Sequence, residues 1–292
     1  MNKIYFLTFA DSSLKPSLKR IKKQAQEMAI FDEIYVYTEN DLPNNIYNDV
    51  KTIIEKTGKT RGYGYWRWKP AIVNIIISKM SYGDILFYSD AGTHLNVKGR
   101  KKLLEYIEIT KANDIFVTKL NNDFPDTKWT KKDTLKLFED KISPEKLSQD
   151  GQIQGGTIIL MKNDYTISIM EQWNQLMSID NMHYYDDSPS IEPNYPDFIE
   201  NRHDQSILSL ILKANHYYAI DTNHTYAIDE IKWLKLENDG EPILQKRDKI
   251  NKRDNINKKV TIFFIFLRNS IKYPRYFLGY IKQNIFKIKK NV

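Results

Sequence analysis

Gly83-Asp-Ile-Leu-Phe-Tyr-Ser-Asp-Ala-Gly-Thr-His-Leu-Asn96 is the stretch on which the fold turns. Ile85 to Tyr88 is a short apolar run suited to a buried parallel strand. It ends on one carboxylate, Asp90, followed by the small pair Ala91 and Gly92. In open α/β sheets ligands bind just beyond the carboxyl ends of strands. An acid there, with small neighbours that let a ligand reach the backbone, fits a metal–diphosphate site. A strand closed by an ordinary turn fits the same residues, so the rest of the chain has to decide.

Outward from this stretch, strand and helix patterns alternate. Ile4 to Phe9 reads as a strand, and Leu14, Leu18, Ile21, Ala25 and Met28 follow at helical spacing, with Pro16 near the start. Ile34 to Tyr37 is a second strand, and Ala71 to Met80, after Pro70, is a helix leading into the Ile85 strand. Leu103, Leu104 and Ile107 mark a helix, and Ile115 to Val117 a strand. Thr130 to Asp133 has the form of a capping box. Thr157 to Met161 is a strand, and Asn163 caps the helix after it. A polar loop runs from about Asp180 to Asp197. Ile207, Leu210, Ile211 and Ala214 then share a helical face, and Tyr217 to Ile220 is a last strand. The alternation predicts an α/β sandwich with a mostly parallel sheet.

Composition narrows the function. The chain has 292 residues, 41% hydrophobic and 13% aromatic, with no cysteine, which removes disulfide frameworks and thiolate chemistry. Met1 to Ala10 reads as a first strand rather than a signal peptide. The net charge of +7 is unevenly spread: residues 246–292 hold 14 Lys+Arg against 2 Asp+Glu, and the other 245 residues hold 30 against 35. An acidic body, 1–245, and a basic aromatic tail, 246–292, is the expected division.

Four clusters carry candidate chemistry. Besides Asp90-Ala91-Gly92 there is Arg61-Gly-Tyr-Gly-Tyr-Trp-Arg-Trp-Lys69-Pro70, whose cations suit phosphates and whose rings suit a base or a sugar. Gln154-Gly155-Gly156 leaves room for a ligand beside backbone amides. Arg202-His203-Asp204-Gln205 opens a helix, where a carboxylate serves as a cap or as an active-site group. A packed aromatic hinge with solvated Arg and Lys, a simple turn and a plain cap are the structural alternatives for the last three. His-rich zinc spacing, a Walker loop and a Gly-x-Ser-x-Gly elbow do not occur.

Gly62–Pro70, Gly83–Gly92 and Asn201–Ser206, in that order, resemble bacterial glycosyltransferases of the GT-A fold encoded in capsule and O-antigen gene clusters, with Asn201 replacing a His of that pattern. More distantly the chain is similar to glycogenin-like and lipooligosaccharide galactosyltransferases, through Gln154–Leu160 and Asp204–Gln205. The resemblance covers about residues 1–230. It implies a Rossmann-like nucleotide-diphospho-sugar transferase fold, a nucleotide-sugar donor and a glycan acceptor, possessed in that family as a lipid-linked glycan. The expected donor-binding set is Thr8, Arg61, Tyr65, Arg67, Lys69, Ser89, Asp90 and Gly92. The expected acceptor-binding set is Gln154, Gly155 and Gly156, and the catalytic set is His203, Asp204 and Gln205. GT-A enzymes usually carry Asp-x-Asp, whereas this chain has Tyr88-Ser89-Asp90, so Asp90 alone is expected to hold Mn²⁺ or Mg²⁺ with diphosphate oxygens. Asp204 is the base in an inverting reaction. In a retaining one, slightly favoured by the Asp-Gln similarity, Asp204 or Gln205 lies beneath the anomeric carbon.

In the tail, Val260 to Leu267 is too short to span a bilayer, and Phe277, Ile281, Ile285 and Ile288 repeat on one helical face among lysines. That pattern suits an anionic membrane surface, each basic residue contributing about 1 kcal/mol. The expected location is cytoplasmic, peripheral on the inner face of a bacterial plasma membrane, with no nucleic-acid partner. A non-catalytic sugar- or nucleotide-binding protein and a metal-dependent hydrolase using Asp90, His203 and Asp204 are the competing readings.

Overall fold

The computed structural model describes residues 2–245; the expected basic tail lies outside them. The strands are β1 (Ile4–Phe9), β2 (Glu33–Tyr37), β3 (Ile85–Ser89), β4 (His94–Leu95), β5 (Ile115–Lys119), β6 (Ile153–Met161), β7 (Tyr218–Asp221) and β8 (Ile243–Leu244). Six of them form one sheet in the order β2-β1-β3-β6-β5-β7, and β4 pairs with β8 in a small second one. In the large sheet β2, β1 and β3 run parallel, as do β5 and β7, while β6 is antiparallel to both neighbours. The mixed α/β class and the mostly parallel sheet are as expected.

Alternation along the strands builds two cores. Leu7, Leu86, Tyr88, Ile158 and Leu160 meet the helices Trp68–Lys79, Asp164–Leu176 and Asp204–Lys213 on one face. Phe6, Ile85, Phe87 and Ile159 meet Lys15–Met28 and Arg100–Asn113 on the other. With both faces covered, every residue of β3 is buried, which is why it reads as an unbroken apolar run. Each large apolar side chain so buried contributes about 1.5–3 kcal/mol.

The chain leaves β1 for β2 on one side and returns to β3 on the other. The carboxyl ends of β1 and β3 therefore flank the crevice where the strand order reverses, the usual ligand position in such sheets. Asp11 follows β1 there, and Asp90 follows β3.

Two local expectations are corrected. Thr130 does not cap a helix: Lys132–Lys136 starts from Lys131 without a side-chain cap, and the Asp133 carboxylate instead accepts from the backbone N–H groups of Ile191 and Glu192. Asp133 ties down the polar loop, its pKa held well below the usual range by these bonds and His183 despite burial. Gln154, Gly155 and Gly156 lie inside β6 rather than in a turn before it. The pattern reading also missed the helix Asn44–Thr57, although Ile46, Val50 and Ile53 mark its buried face and Gly58 closes it in the left-handed conformation.

Candidate active site

The aromatic segment enters the crevice through an unusual backbone. Gly62, Tyr63, Gly64, Tyr65 and Trp66 all have positive φ, between 50° and 78°. For L-residues this conformation costs about 1–2 kcal/mol each, and Tyr63, Tyr65 and Trp66 bear it in succession. Surrounding bonds hold it: the Trp66 N–H donates to the Gly62 carbonyl, and Trp68 Nε1 donates to the same oxygen at 3.0 Å. A side chain at Gly62 would strike the Trp66 ring at 2.2 Å. Backbone strain held in this way clusters at active sites and ligand clamps. Its consequence is the direction of Lys69, in the first turn of the helix Trp68–Lys79.

Lys69 is buried with its ammonium between two carboxylates. Nζ lies 3.2 Å from Asp90 Oδ1 and 2.6 Å from Asp204 Oδ2, and donates to the Gly155 carbonyl at 3.2 Å. The Asp204 contact is a close ion pair without good hydrogen-bond alignment. Burial pushes the Lys69 pKa down, but Asp204 and Asp90 outweigh it, and the net direction is up. Asp204 is raised to about 6, since burial outweighs the pull of Lys69 and Asp90 adds repulsion. Tyr88 donates to Asp90 Oδ1 at 2.6 Å, and burial beside that charge raises its own pKa strongly. Three segments distant in sequence thus meet at one cation.

The two glycines of β6 explain how the carboxylates fit. A Cβ on Gly155 would come within 3.0 Å of Asp204 Oδ2, and one on Gly156 within 3.2 Å of Asp90 Oδ2. Their missing side chains leave room for the two acids, at the place expected to receive the acceptor. A register shift between β5 and β6 lies beside this point. Gln154 accepts from Thr118 Oγ1. Gln205 is held at both ends of its amide: Oε1 accepts from the Gly155 N–H in β6, and Nε2 donates at 2.6 Å to Oε1 of Gln152, just before that strand.

Of the other expected residues, Arg67 is not directed to a ligand. Its buried guanidinium bonds Asp49 at 3.0 Å and Asn174 at 2.9 Å. Thr8 and Ser89 are fully buried within the sheet, and neither hydroxyl has a hydrogen-bond partner. Gly92 faces open space where a Cβ would stand. Arg61 is at the rim, paired with Glu200 at 3.3 Å and near Asp187 at 3.9 Å. Tyr65 is buried, and its hydroxyl donates to Asp187 at 3.0 Å. Burial and that contact lift its pKa to about 12.

His203 packs its ring on Tyr65 and Trp66, with centroids 4.7 and 5.4 Å apart. Nδ1 donates to the Tyr185 carbonyl at 2.7 Å, and burial lowers the pKa to about 4, so the ring is neutral. Its backbone is also strained, at φ 54° and ψ −121°, immediately before Asp204 begins the helix Asp204–Lys213. The ring acts as a wedge that sets where Asp204 enters.

Two residues of the site escaped the sequence reading. Arg20 donates to the carbonyls of Ala91 and Thr93 at 2.8 and 2.7 Å and so fixes the turn after Asp90. Gln245, beyond β8, donates to Thr157 Oγ1 at 3.2 Å beside Gly156. Only an Arg at the sixth position of the helix Lys15–Met28 and a Gln near the tail stood for them in the sequence, and neither pattern points to chemistry.

A divalent cation fits one part of this set. Asp90 Oδ1 is occupied by Tyr88 and Lys69, while the Asp90 side chain is 38% exposed and Oδ2 lies over Gly156. No group of three or more His, Cys, Asp or Glu capable of holding a metal occurs among the described residues. Mg²⁺ characteristically takes one or two carboxylates, with the rest of its shell from phosphates and water. Charge points the same way: ionised Asp90 and Asp204 exceed Lys69 by one negative charge, and Arg67 is committed to Asp49.

No family model matches the chain, and no curated protein matches it. Among solved structures it is similar to a glycosyltransferase involved in glycosylation of the major capsid of PBCV-1, with a TM-score of 0.46 and 10% identity over 86% of this chain and 97% of that one. It is similar to mouse xyloside xylosyltransferase 1 in its apo form, with a TM-score of 0.44 and 9% identity over 86% and 99% of the two chains. The apo WbbM bifunctional glycosyltransferase gives 0.47 and 10%, over 85% of this chain and 46% of that one. Likenesses this distant carry no argument about activity, which rests on the crevice itself.

Proposed function

We propose that the chain is a glycosyltransferase that moves a sugar from a nucleoside-diphosphate donor to a glycan acceptor. The observation that carries this reading is the Asp90–Lys69–Asp204 cluster at the carboxyl-end crevice of the sheet, seated over two glycines. Breaking a sugar–phosphate bond leaves negative charge on the diphosphate and positive character on the anomeric carbon. Mn²⁺ or Mg²⁺ held by Asp90 would neutralise the diphosphate. Asp204, ionised above about pH 6 and fixed by Lys69, stabilises the anomeric carbon. Retention of configuration, with Asp204 beneath the anomeric carbon, is the outcome that the Asp204–Gln205 similarity favours. Gln205 and His203 act as positioning residues, through β6 and the aromatic segment. The hydrolase reading is disfavoured because two-metal hydrolysis needs several grouped ligands.

The acceptor side of the proposal is a lipid-linked glycan of surface polysaccharide synthesis, reached by the basic tail at an anionic membrane. No helix among the described residues is long and apolar enough to cross a membrane.

The test is melting temperature with UDP, GDP and CDP, each with and without Mn²⁺, followed by donor consumption with membrane-derived acceptors. A nucleotide at 100 times its Kd stabilises by about 2.7 kcal/mol. One nucleotide should raise the melting point, more so with Mn²⁺, and its sugar should be transferred. Binding without consumption of any donor would make the chain a binding module. Absence of binding by every nucleotide would end the proposal.

A further inference from the structure

The two helices that cover the second face of the sheet carry a run of basic residues on their outer side. In Lys15–Met28, the exposed Lys15, Lys19, Lys22 and Lys23 recur at helical spacing and form one stripe. The buried Leu18, Ile21 and Ala25 lie on the other side of that helix. Arg100 and Lys101 open the helix Arg100–Asn113, Lys98 precedes them, and all three are exposed. The two groups adjoin: Arg100 Nη2 donates at 2.8 Å to the carbonyl of Glu27, one turn beyond Lys23. Among the described residues no acid pairs with Lys15, Lys19, Lys22 or Lys101, whereas Glu27 and Glu108 are taken by Lys23 and Lys111.

Neither composition nor helix electrostatics accounts for this placement. Residues 1–245 hold more acids than bases, yet unpaired lysines collect on one side. The amino end of a helix carries partial positive charge and favours acids, but neither helix has an acid in its first turn. Apolar side chains stand among the charges: Leu14 is 42% exposed, Val97 38% and Leu104 40%. Leu14 precedes Lys15, Val97 precedes Lys98, and Leu104 lies one turn beyond Arg100. Lysines with aliphatic neighbours suit an anionic lipid surface, where phosphates meet the ammonium groups and the acyl boundary takes the apolar tips. A nucleic acid would use the lysines and leave the apolar tips in water. The last described residues also lie beside this face. β8 pairs with β4, a Cβ on Gly99 would lie 2.5 Å from Pro242 Cα, and the basic segment 246–292 follows in sequence.

We infer that the outer face of Lys15–Met28 and the start of Arg100–Asn113 dock the body on an anionic lipid surface, as a contact separate from the tail. The inference deepens the membrane side of the reading given above and rests on it. It also sets an orientation. Arg20, on the first of these helices, holds the carbonyls of Ala91 and Thr93, so the docked face is tied to the turn that follows Asp90.

The experiment is flotation of the full chain with vesicles of phosphatidylcholine alone and of phosphatidylcholine mixed equally with phosphatidylglycerol, at low and high salt. One variant combines Lys15→Gln, Lys19→Gln, Lys22→Gln and Lys101→Gln. A control of equal charge combines Lys51→Gln, Lys56→Gln, Lys79→Gln and Lys141→Gln, exposed positions on segments that pack against the other sheet face. The native chain should float with the mixed vesicles and be released by salt. The face variant should partition at least about tenfold more weakly, and the control less than about twofold. Leu14→Ser should weaken vesicle binding at high salt. Undiminished binding of the face variant would leave the tail as the contact and overturn the inference. So would equal loss in both variants, which would make net charge the cause, or duplex DNA bound by this face in place of vesicles. If the native chain floats with neither vesicle, the membrane side of the reading falls as well, while the nucleotide-dependent melting shift still judges the donor side.

Discussion

The helix Asp204–Lys213 has a buried lysine–carboxylate cluster at each end, and the two are built alike for different purposes. At its start Asp204 joins Asp90 around Lys69; at its finish Lys213 joins Asp126 and Asp150, at 2.7 and 3.4 Å. Both ammonium groups are buried, and each has two aspartates from separate segments. An acid at the helix start and a base at its end also suit the helix dipole. The surroundings differ. Asp126 is wholly buried and accepts from Ser209, and Lys213 donates to the Asp150 carbonyl while Lys146 bonds the carbonyl of Lys213. Around Lys69, two glycines hold the space and Asp90 is partly open to solvent. A buried ion pair is thus no evidence of function by itself; the glycine floor and the open carboxylate edge distinguish the candidate site from a strut.

The largest expected effect comes from removing one charge at each end. Asp204→Asn should lower turnover by about a thousandfold, the scale of a lost electrostatic stabiliser, while nucleotide binding persists. Asp126→Asn should lower stability by about 3–5 kcal/mol, because Lys213 then lacks its closest partner in a dry site. Turnover per folded molecule should stay the same. Denaturant unfolding and steady-state rates on both variants check this. Equal loss of turnover from both would mean that the clusters are not functionally distinct.

A smaller effect should follow from filling the floor. In Gly155→Ala the new methyl would lie 3.0 Å from Asp204 Oδ2, closer than ordinary van der Waals contact, and in Gly156→Ala 3.2 Å from Asp90 Oδ2. Gly155→Ala should reduce kcat by about ten- to hundredfold by displacing the acid. Gly156→Ala should mainly weaken Mn²⁺-dependent nucleotide binding. Titration and rate measurements separate the two, and an exchange of the two phenotypes would reverse the roles given to Asp90 and Asp204.

This asymmetry was only half legible in the sequence. Apolar runs and helical spacing gave β1, β3 and the helix that carries Ile207 with nearly the right limits, since their periodicity follows from burial on the sheet. Asp90, Lys69 and Asp204 stood out because charges at strand and helix ends are locally visible. Their meeting was not visible, because it depends on the left-handed Gly62–Trp66 turn, for which composition offers only the two glycines. For the same reason Arg67, two residues before Lys69, looked equally suited to phosphate, and only the fold shows it turned inward to Asp49. The Lys213 cluster gave no signal either: Asp126, Asp150 and Lys213 lie far apart in sequence and resemble solvated charges.

The smallest expected effect separates the two helix ends by pH. His203 in the folded chain has its pKa lowered to about 4, chiefly by burial against Tyr65 and Trp66. Its ordinary value is near 6.5, so between those limits the unfolded chain binds the proton and the folded one does not. Stability from this source is complete above about pH 6.5 and lost as pH falls towards 4, by about 3 kcal/mol in all. At the other end, Asp150 is lowered because its bonds to Lys119 and Lys213 outweigh burial, and that contribution begins to fall only as pH drops towards the ordinary carboxylate range. Asp204, raised to about 6, acts in the opposite sense: it takes up a proton in the folded chain before the unfolded one, so its contribution grows as pH falls and offsets much of the His203 loss. Hydrogen exchange at pH 5 relative to pH 7 should therefore change at Asp204–Ser206 and stay constant at Ile211–Lys213. His203→Phe, which keeps a ring between Tyr65 and Trp66, should flatten the fall in melting temperature between pH 7 and 5. An unchanged slope in that variant would show that His203 does not set the acid sensitivity, and the wedge would then be a packing element alone.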